Sequence, residues 1–309
     1  MIRTTSSGGP GSDADGAAWS PQPEPSPLVD VAALRARLGD PALRIVDARF
    51  DLAAPDAGRR AFHDAHLPGA VYAHLDEDLS DHSRPACEGR HPLPDAERLS
   101  ATLARWGITP GTPVLVYDDA GGAMAAARVW WLLRWMGQTD VRVLDGGWAA
   151  WLVAGAPLEA GAPVERAPPS PVAPDAARGW RPGSAPLASI DAVAAPGHDA
   201  VLIDARAPER FRGEFEPLDR KAGHIPGARN RPFAMNLEAG RFKPASRLRE
   251  EWLALLPEGA RPVLYCGSGV SACHNALALV HAGFPMPALF APSWSGWIAD
   301  PSRPVATGG

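Results

Sequence analysis

Pro262-Val263-Leu264-Tyr265-Cys266-Gly267-Ser268-Gly269-Val270-Ser271-Ala272 joins an apolar run to a glycine loop with a cysteine at the junction. A helix-like apolar stretch, Ala276 to Ala282, follows and Gly283 closes it. The order predicts strand, tight loop, helix. Cys266 then sits at the carboxyl end of a strand and over a helix N-terminus. Two glycines allow φ > 0 and turn backbone N–H groups inward. Such a nest, with the helix dipole, favours thiolate over thiol. A free cysteine is more often a buried structural residue; the glycine spacing and the strand-to-helix placement favour the nucleophile.

Composition sets the bounds. The chain has 309 residues, 46% hydrophobic and 21% charged, which suits a globular protein of two domains. A net charge of −5 leaves no electrostatic footprint for nucleic acid. The three cysteines, Cys87, Cys266 and Cys273, are too few and too oddly spaced for a disulfide framework or a zinc site. They point to a reducing, cytoplasmic compartment. No segment reaches the roughly 18 apolar residues of a membrane span. The most apolar one, Val129 to Met136, is preceded by Arg128 and broken by Arg134. No apolar signal segment follows Arg3.

The chain also repeats itself. Ile45-Val46-Asp47-Ala48-Arg49 matches Leu202-Ile203-Asp204-Ala205-Arg206, and His66-Leu67-Pro68-Gly69-Ala70 matches His224-Ile225-Pro226-Gly227-Ala228. Pro113 to Asp118 matches Pro262 to Cys266 with one residue fewer, and Trp148 and Trp151 match Trp294 and Trp297. Order and approximate spacing are kept, so a whole domain is duplicated. The expected division is a disordered tail over 1–26, a first domain over 27–157, a linker over 158–185 and a second domain over 186–309. Strands are expected at Leu43–Asp47, Pro113–Tyr117 and Val141–Leu144, and helices at Val31–Leu38 and Arg128–Met136. This alternation predicts an α/β fold: in each half a mostly parallel sheet flanked by helices, with ligands at the carboxyl ends of strands. Cys266 lies at that edge in the second half; Asp118 takes its place in the first. Trp130, Trp131 and Trp135 follow one helical face and read as core.

The Asp-Ala-Arg strand end, the His-Ile-Pro-Gly-Ala turn and the Cys-Gly-Ser-Gly-Val-Ser-Ala loop together resemble a tandem rhodanese-type sulfurtransferase, over roughly Leu28 to Ala306. The loop is similar to that of the 3-mercaptopyruvate branch, with Ser271 in place of threonine. The thiosulfate branch carries Arg and Lys after its cysteine, where this chain has Gly267 and Ser268. The resemblance implies an inactive first domain and a catalytic second one. It implies that Arg210, in Arg210-Phe211-Arg212-Gly213, holds the donor carboxylate and ketone. A second substrate arginine falls at Arg220, with the spacing two residues shorter than in the family. Asp76, ten residues after His66, and His91, before Leu93-Pro94, correspond to first-domain residues near the cysteine. Read from the residues alone, Asp76 and His91 fit ordinary loop positions equally well.

The implied chemistry is transfer of a sulfane sulfur through a Cys266 persulfide to a thiol, cyanide or a thioredoxin-type protein, without metal or organic cofactor. Backbone N–H groups over Gly267, Gly269, Val270, Ser271 and Ala272 would hold the persulfide anion. Ser268 would relay a proton or donate a hydrogen bond. Cys273 reads as a small helix residue, and Cys87 has no assigned role. The alternative within enzymes is a thiosulfate:cyanide sulfurtransferase. A phosphatase is disfavoured, because the loop ends on Ala272 where a phosphoryl group needs a cation. A non-catalytic binding module is disfavoured by Cys266 in its glycine loop beside Arg210.

Overall fold

A computed structural model describes residues 26–162 and 179–309. The expected tail, apart from Ser26, and the middle of the expected linker, 163–178, lie outside the described residues. The first half runs β1 (Leu28–Val29), α1 (Val31–Arg35), β2 (Arg44–Asp47), α2 (Ala57–Asp64), β3 (Ala70–Tyr72), α3 (Ala96–Arg105), β4 (Val114–Tyr117), α4 (Ala125–Trp135), β5 (Val141–Leu144) and α5 (Gly147–Val153). The second runs α6 (Ile190–Ala194), β6 (Ala200–Asp204), α7 (Pro208–Arg212), β7 (Arg229–Asn230), β8 (Leu237–Glu238), β9 (Arg241–Phe242), α8 (Ala245–Leu255), β10 (Arg261–Tyr265), α9 (Ala272–His281), β11 (Ala288–Leu289) and α10 (Ser293–Trp297).

Two parallel sheets form, β1-β5-β4-β2-β3 and β11-β10-β6-β7, beside a small antiparallel β8-β9 pair. Every residue of β2 and β4 is buried, the pattern of strands covered by helices on both faces. The expected strands are found within a residue of their bounds. The expected helix at Val31 is shorter, closing at Arg35 with tight turns from Arg37 and Leu38 back to Leu34 and Arg35. The expected helix at Arg128 begins earlier, at Ala125, because three alanines extend it toward its N-terminus. Trp130 and Trp131 are core, and Trp135 is partly buried against it.

The repeated motifs turn out to be paired braces. Asp47 and Asp204 each take a forked ion pair from the arginine two residues on, Arg49 and Arg206, at 2.6 Å. Those arginines also donate to the carbonyls of Ala65 and Gly223, just before each histidine turn. His66 stacks on Phe62 and bonds its carbonyl; His224 does the same with Phe211. Arg49 lies over Trp148 and Arg206 over Trp294. Trp151 and Trp297 each donate through Nε1 to a proline carbonyl, Pro157 and Pro304. The motifs therefore tie strand end to turn to last helix in each half, and their work is structural.

The halves meet along α4 and α9. Ala125, Ala126 and Ala127 of α4 and Ala276 and Ala278 of α9 belong to one apolar cluster that continues from one sheet to the other. The ends of the linker are docked as well: Glu159 bridges His66, and the Arg181 and Ser184 amides donate to Met136 and Trp135 carbonyls. Among the described residues no helix is long and apolar enough to cross a membrane.

Candidate active site

Cys266 follows β10 directly, and Ala272 opens α9, so the loop 266–271 spans strand end and helix start. Cys266 is 2% exposed. The Gly269 N–H donates to Cys266 Sγ at 3.1 Å. Among the described residues, the N–H groups of Ser268, Val270 and Ser271 have no acceptor, so they remain available to an anion on the sulfur. The loop is clamped from behind by the start of α10. Ser293 Oγ accepts from the Cys266 N–H at 3.1 Å, and the Trp294 and Ser295 N–H groups donate to the Cys266 and Gly267 carbonyls. Ser293 does this from a left-handed backbone, φ 55°, an uncommon conformation for a residue with a Cβ. Nothing in the local sequence announced it.

The two loop glycines act differently from the expectation that both take φ > 0. Gly269 does, at φ 77°, and a Cβ there would lie 2.4 Å from the Ala291 carbonyl oxygen. Gly267 does not; its role is to leave room. A Cβ on it would come within 3.2 Å of Arg90 Nη2 and 3.4 Å of Arg210 Nη2. Two guanidinium groups, one from each domain, therefore converge beside the residue that follows Cys266. Arg210 is gripped by Glu216, at 3.0 and 2.7 Å, and by Asp219 at 3.2 Å. Arg90 pairs with the other Asp219 oxygen at 2.6 Å. Arg210 Nη1 and Arg90 Nη2 have no acceptor among the described residues. The Arg220 guanidinium donates to the Ile298 and Ala299 carbonyls and lines a cavity with Asp219 and Ser295, next to the Arg90–Asp219 pair. Asp219 lies between Arg210 and Arg90, and Arg90 is the second guanidinium beside Gly267. Sequence reasoning missed Arg90, which comes from a loop without periodicity in the other half.

Ser268, His91 and Asp76 come together across the domain boundary. His91 Nδ1 is 2.8 Å from Ser268 Oγ, and His91 Nε2 is 3.4 Å from Asp76 Oδ1. Burial, followed by the charges of Arg128 and Arg90, pushes the His91 pKa down to about 3, so the imidazole is neutral. A neutral ring has one N–H. Asp76 is an acceptor, which assigns the proton to Nε2 and makes the Ser268 hydroxyl the donor to Nδ1. His82 also approaches Asp76, at 3.3 Å. Val270 is buried beside the loop, and Ala272 is fully buried as the first residue of α9. Ser271 stands at the helix N-cap without a side-chain capping bond. Cys273 donates its S–H to the Gly269 carbonyl at 3.3 Å, and burial pushes its thiol up to about 12, so it is a neutral packing residue.

The equivalent loop of the first domain also turns backbone N–H groups inward. Its nest is formed and already filled. The Asp118 carboxylate accepts from the N–H groups of Ala120, Gly122, Met124 and Ala126 at 2.7 to 3.3 Å, fully buried. Burial raises its pKa to about 6, against the N–H groups of Gly122, Ala120 and Ala126, which favour the anion. Asp118 is thus an internal anion in the place a sulfur anion would take. Asp118→Ala should leave those N–H groups without an acceptor and cost about 1–3 kcal/mol in a urea unfolding titration. A variant as stable as wild type would contradict this.

The chain matches the rhodanese-like domain family twice, over residues 30–154 and 190–300. It is 48% identical over 288 residues to a probable 3-mercaptopyruvate sulfurtransferase of Pseudomonas aeruginosa, covering 91% of this chain and 98% of that protein. It is 43% identical to a putative thiosulfate sulfurtransferase of Mycobacterium tuberculosis, covering 87% and 92%. The crystal structure of the Escherichia coli 3-mercaptopyruvate enzyme superposes with a TM-score of 0.74 at 30% identity, covering 87% of this chain and 99% of that one. Two matched domains, a continuous match to full-length relatives and the same two-sheet architecture show that this chain belongs to the rhodanese-like family and is a tandem-domain sulfurtransferase.

Proposed function

We propose that the protein takes a sulfur atom from 3-mercaptopyruvate onto Cys266 and hands it to a thiol, to cyanide or to a thioredoxin-type protein, in the cytoplasm. Arg210 Nη1 and Arg90 Nη2, beside Gly267, receive the donor's carboxylate and ketone oxygens. The Cys266 thiolate attacks the donor sulfur. An S–S bond forms, the C–S bond breaks, and its electron pair passes to the pyruvate enolate, whose oxygen charge the arginines stabilise. The proton of the donor thiol ends on the enolate carbon, giving pyruvate and a Cys266 persulfide anion. A thiol RSH then takes the outer sulfur as RSSH and returns the thiolate; cyanide leaves as thiocyanate. The N–H groups of the 267–272 loop hold the persulfide between the two steps.

The observation that carries the choice of donor is the Ser268 hydroxyl, two residues from the sulfur and hydrogen-bonded to a neutral His91. An enolate leaving group must be protonated, and a Ser268–His91–Asp76 chain is a route for that proton. Sulfite, leaving from thiosulfate, needs none. Thiosulfate is the second reading, favoured by the paired arginines beside Gly267 and by the name of the mycobacterial relative. Steady-state kinetics over both donors with cyanide as acceptor separates them. The expected result is a higher kcat/KM for 3-mercaptopyruvate; a preference for thiosulfate reverses the assignment.

A further inference from the structure

Arg128 carries a charge with no carboxylate to meet it. It stands on α4 of the first domain, fully buried, and reaches under the Cys266 loop. Its guanidinium donates to carbonyls, Nη1 to Gly269 at 3.0 Å and Nη2 to His91 at 3.0 Å and Leu79 at 3.3 Å, and lies within hydrogen-bonding reach of the Cys273 sulfur. Its Nε has no acceptor among the described residues. Arg49, Arg206 and Arg231, also buried, each meet a carboxylate, on Asp47, Asp204 and Glu251. An unmatched buried ion costs several kcal/mol, so a charge retained here calls for an anion that the resting side chains do not supply.

The groups around Arg128 that can become anions are two thiols, Cys266 and Cys273. Cys273 donates its proton to the same Gly269 carbonyl that Arg128 binds and stays a thiol. Cys266 remains. The other charged groups facing the loop are already matched: Arg90 and Arg210, beside Gly267, are held by Asp219 and Glu216, and His91 is neutral. The geometry also fixes one loop peptide. In a trans peptide, C=O and the next N–H point opposite ways. With the Gly269 carbonyl pulled toward Arg128, the Val270 N–H is turned away from Arg128 and fixed in that direction.

We propose that Arg128 is the counter-charge of the Cys266 sulfur: a positioning residue lent by the first domain that holds the thiolate and persulfide as anions and fixes the Gly269–Val270 peptide. This gives the domain without a cysteine a part in the chemistry. It rests on Cys266 being the sulfur carrier, but its first readout needs no donor.

That readout is the pH dependence of Cys266 alkylation by iodoacetamide, followed by mass spectrometry of the Cys266 peptide so that Cys87 and Cys273 do not contribute. Arg128→Gln keeps a donor for one carbonyl and removes the charge; Arg128→Lys keeps the charge. The alkylation midpoint should rise by about one to two pH units in the glutamine variant, the effect of a unit charge several ångströms away at an effective dielectric of about 20. In the lysine variant it should stay within about half a unit of wild type. A glutamine midpoint equal to wild type, or equal shifts in both variants, overturns the proposal. Should Arg128→Gln not fold, wild type decides. At a pH below its thiol midpoint, loading Cys266 as the persulfide, verified by mass, should raise Tm, and an unchanged or lower Tm overturns the counter-charge.

Discussion

Cys266→Ser is expected to lower sulfur transfer from any donor by more than roughly a thousandfold while the protein stays folded. The serine oxygen can still accept the Gly269 N–H that now meets the sulfur at 3.1 Å, and the loop stays clamped by Ser293, Trp294 and Ser295. What is lost is chemical. A hydroxyl remains protonated at neutral pH and cannot carry a sulfane sulfur. Neither remaining cysteine substitutes: Cys273 is fully buried with its thiol pushed up to about 12, and Cys87 is exposed on a short 3-10 turn against α10, outside the glycine loop. Circular dichroism and a thermal melt check the fold, and a thiocyanate assay checks the rate. Residual activity above a few per cent of wild type would move the sulfur to another residue.

Arg210→Ala should cut kcat/KM for 3-mercaptopyruvate by roughly tenfold to a hundredfold, the worth of a charged, directional contact of about 1.5–3 kcal/mol. Turnover of thiosulfate, which has no carboxylate to lose, should fall less. The structure indicates that the variant survives. Glu216 keeps Arg206 at 3.1 Å and Asp219 keeps Arg90 at 2.6 Å, so neither carboxylate is stranded. Arg210→Lys should not restore the rate, because an ammonium cannot reproduce the fork that holds Glu216 and still face the donor. Parallel kinetics on both donors reads the effect; an equal loss on both removes Arg210 from carboxylate recognition.

The fold was legible because its signals are local. Asp47-Ala48-Arg49 and Asp204-Ala205-Arg206 are contiguous strings, and each brace they build closes within its own half. Cys266, Ser268 and Gly269 were legible for the same reason: strand, loop and helix are consecutive. Of the two residues implied by family resemblance, His91 reaches Ser268 and Asp76 reaches the far side of the His91 ring, although nothing in their own loops distinguishes them from solvated residues. What the sequence hid comes from across the domain boundary. Arg90 sits in an irregular stretch and shows its place only once Gly267 is found beside it. Arg220, the nearest arginine by count, donates to the Ile298 and Ala299 carbonyls, contacts that residue counting alone does not give. Arg128 did leave a trace, as a cation at the head of a helix otherwise buried from Ala125 to Leu133. Such a charge on an apolar face needs a partner, and the partner lies on the far side of the domain interface. The filled nest at Asp118 was invisible for a related reason: four amide directions depend on backbone angles, which residue spacing alone does not set.

The central claim is that Cys266 carries the sulfur and that 3-mercaptopyruvate delivers it. Purified protein, reduced and then exposed to 3-mercaptopyruvate without acceptor, should gain about 32 Da, one sulfur atom, on the peptide containing Cys266. The same peptide should return to its starting mass on adding cyanide, with one thiocyanate released per chain. An unmodified Cys266 after donor exposure, or the added mass on Cys87 or Cys273 instead, would contradict the account.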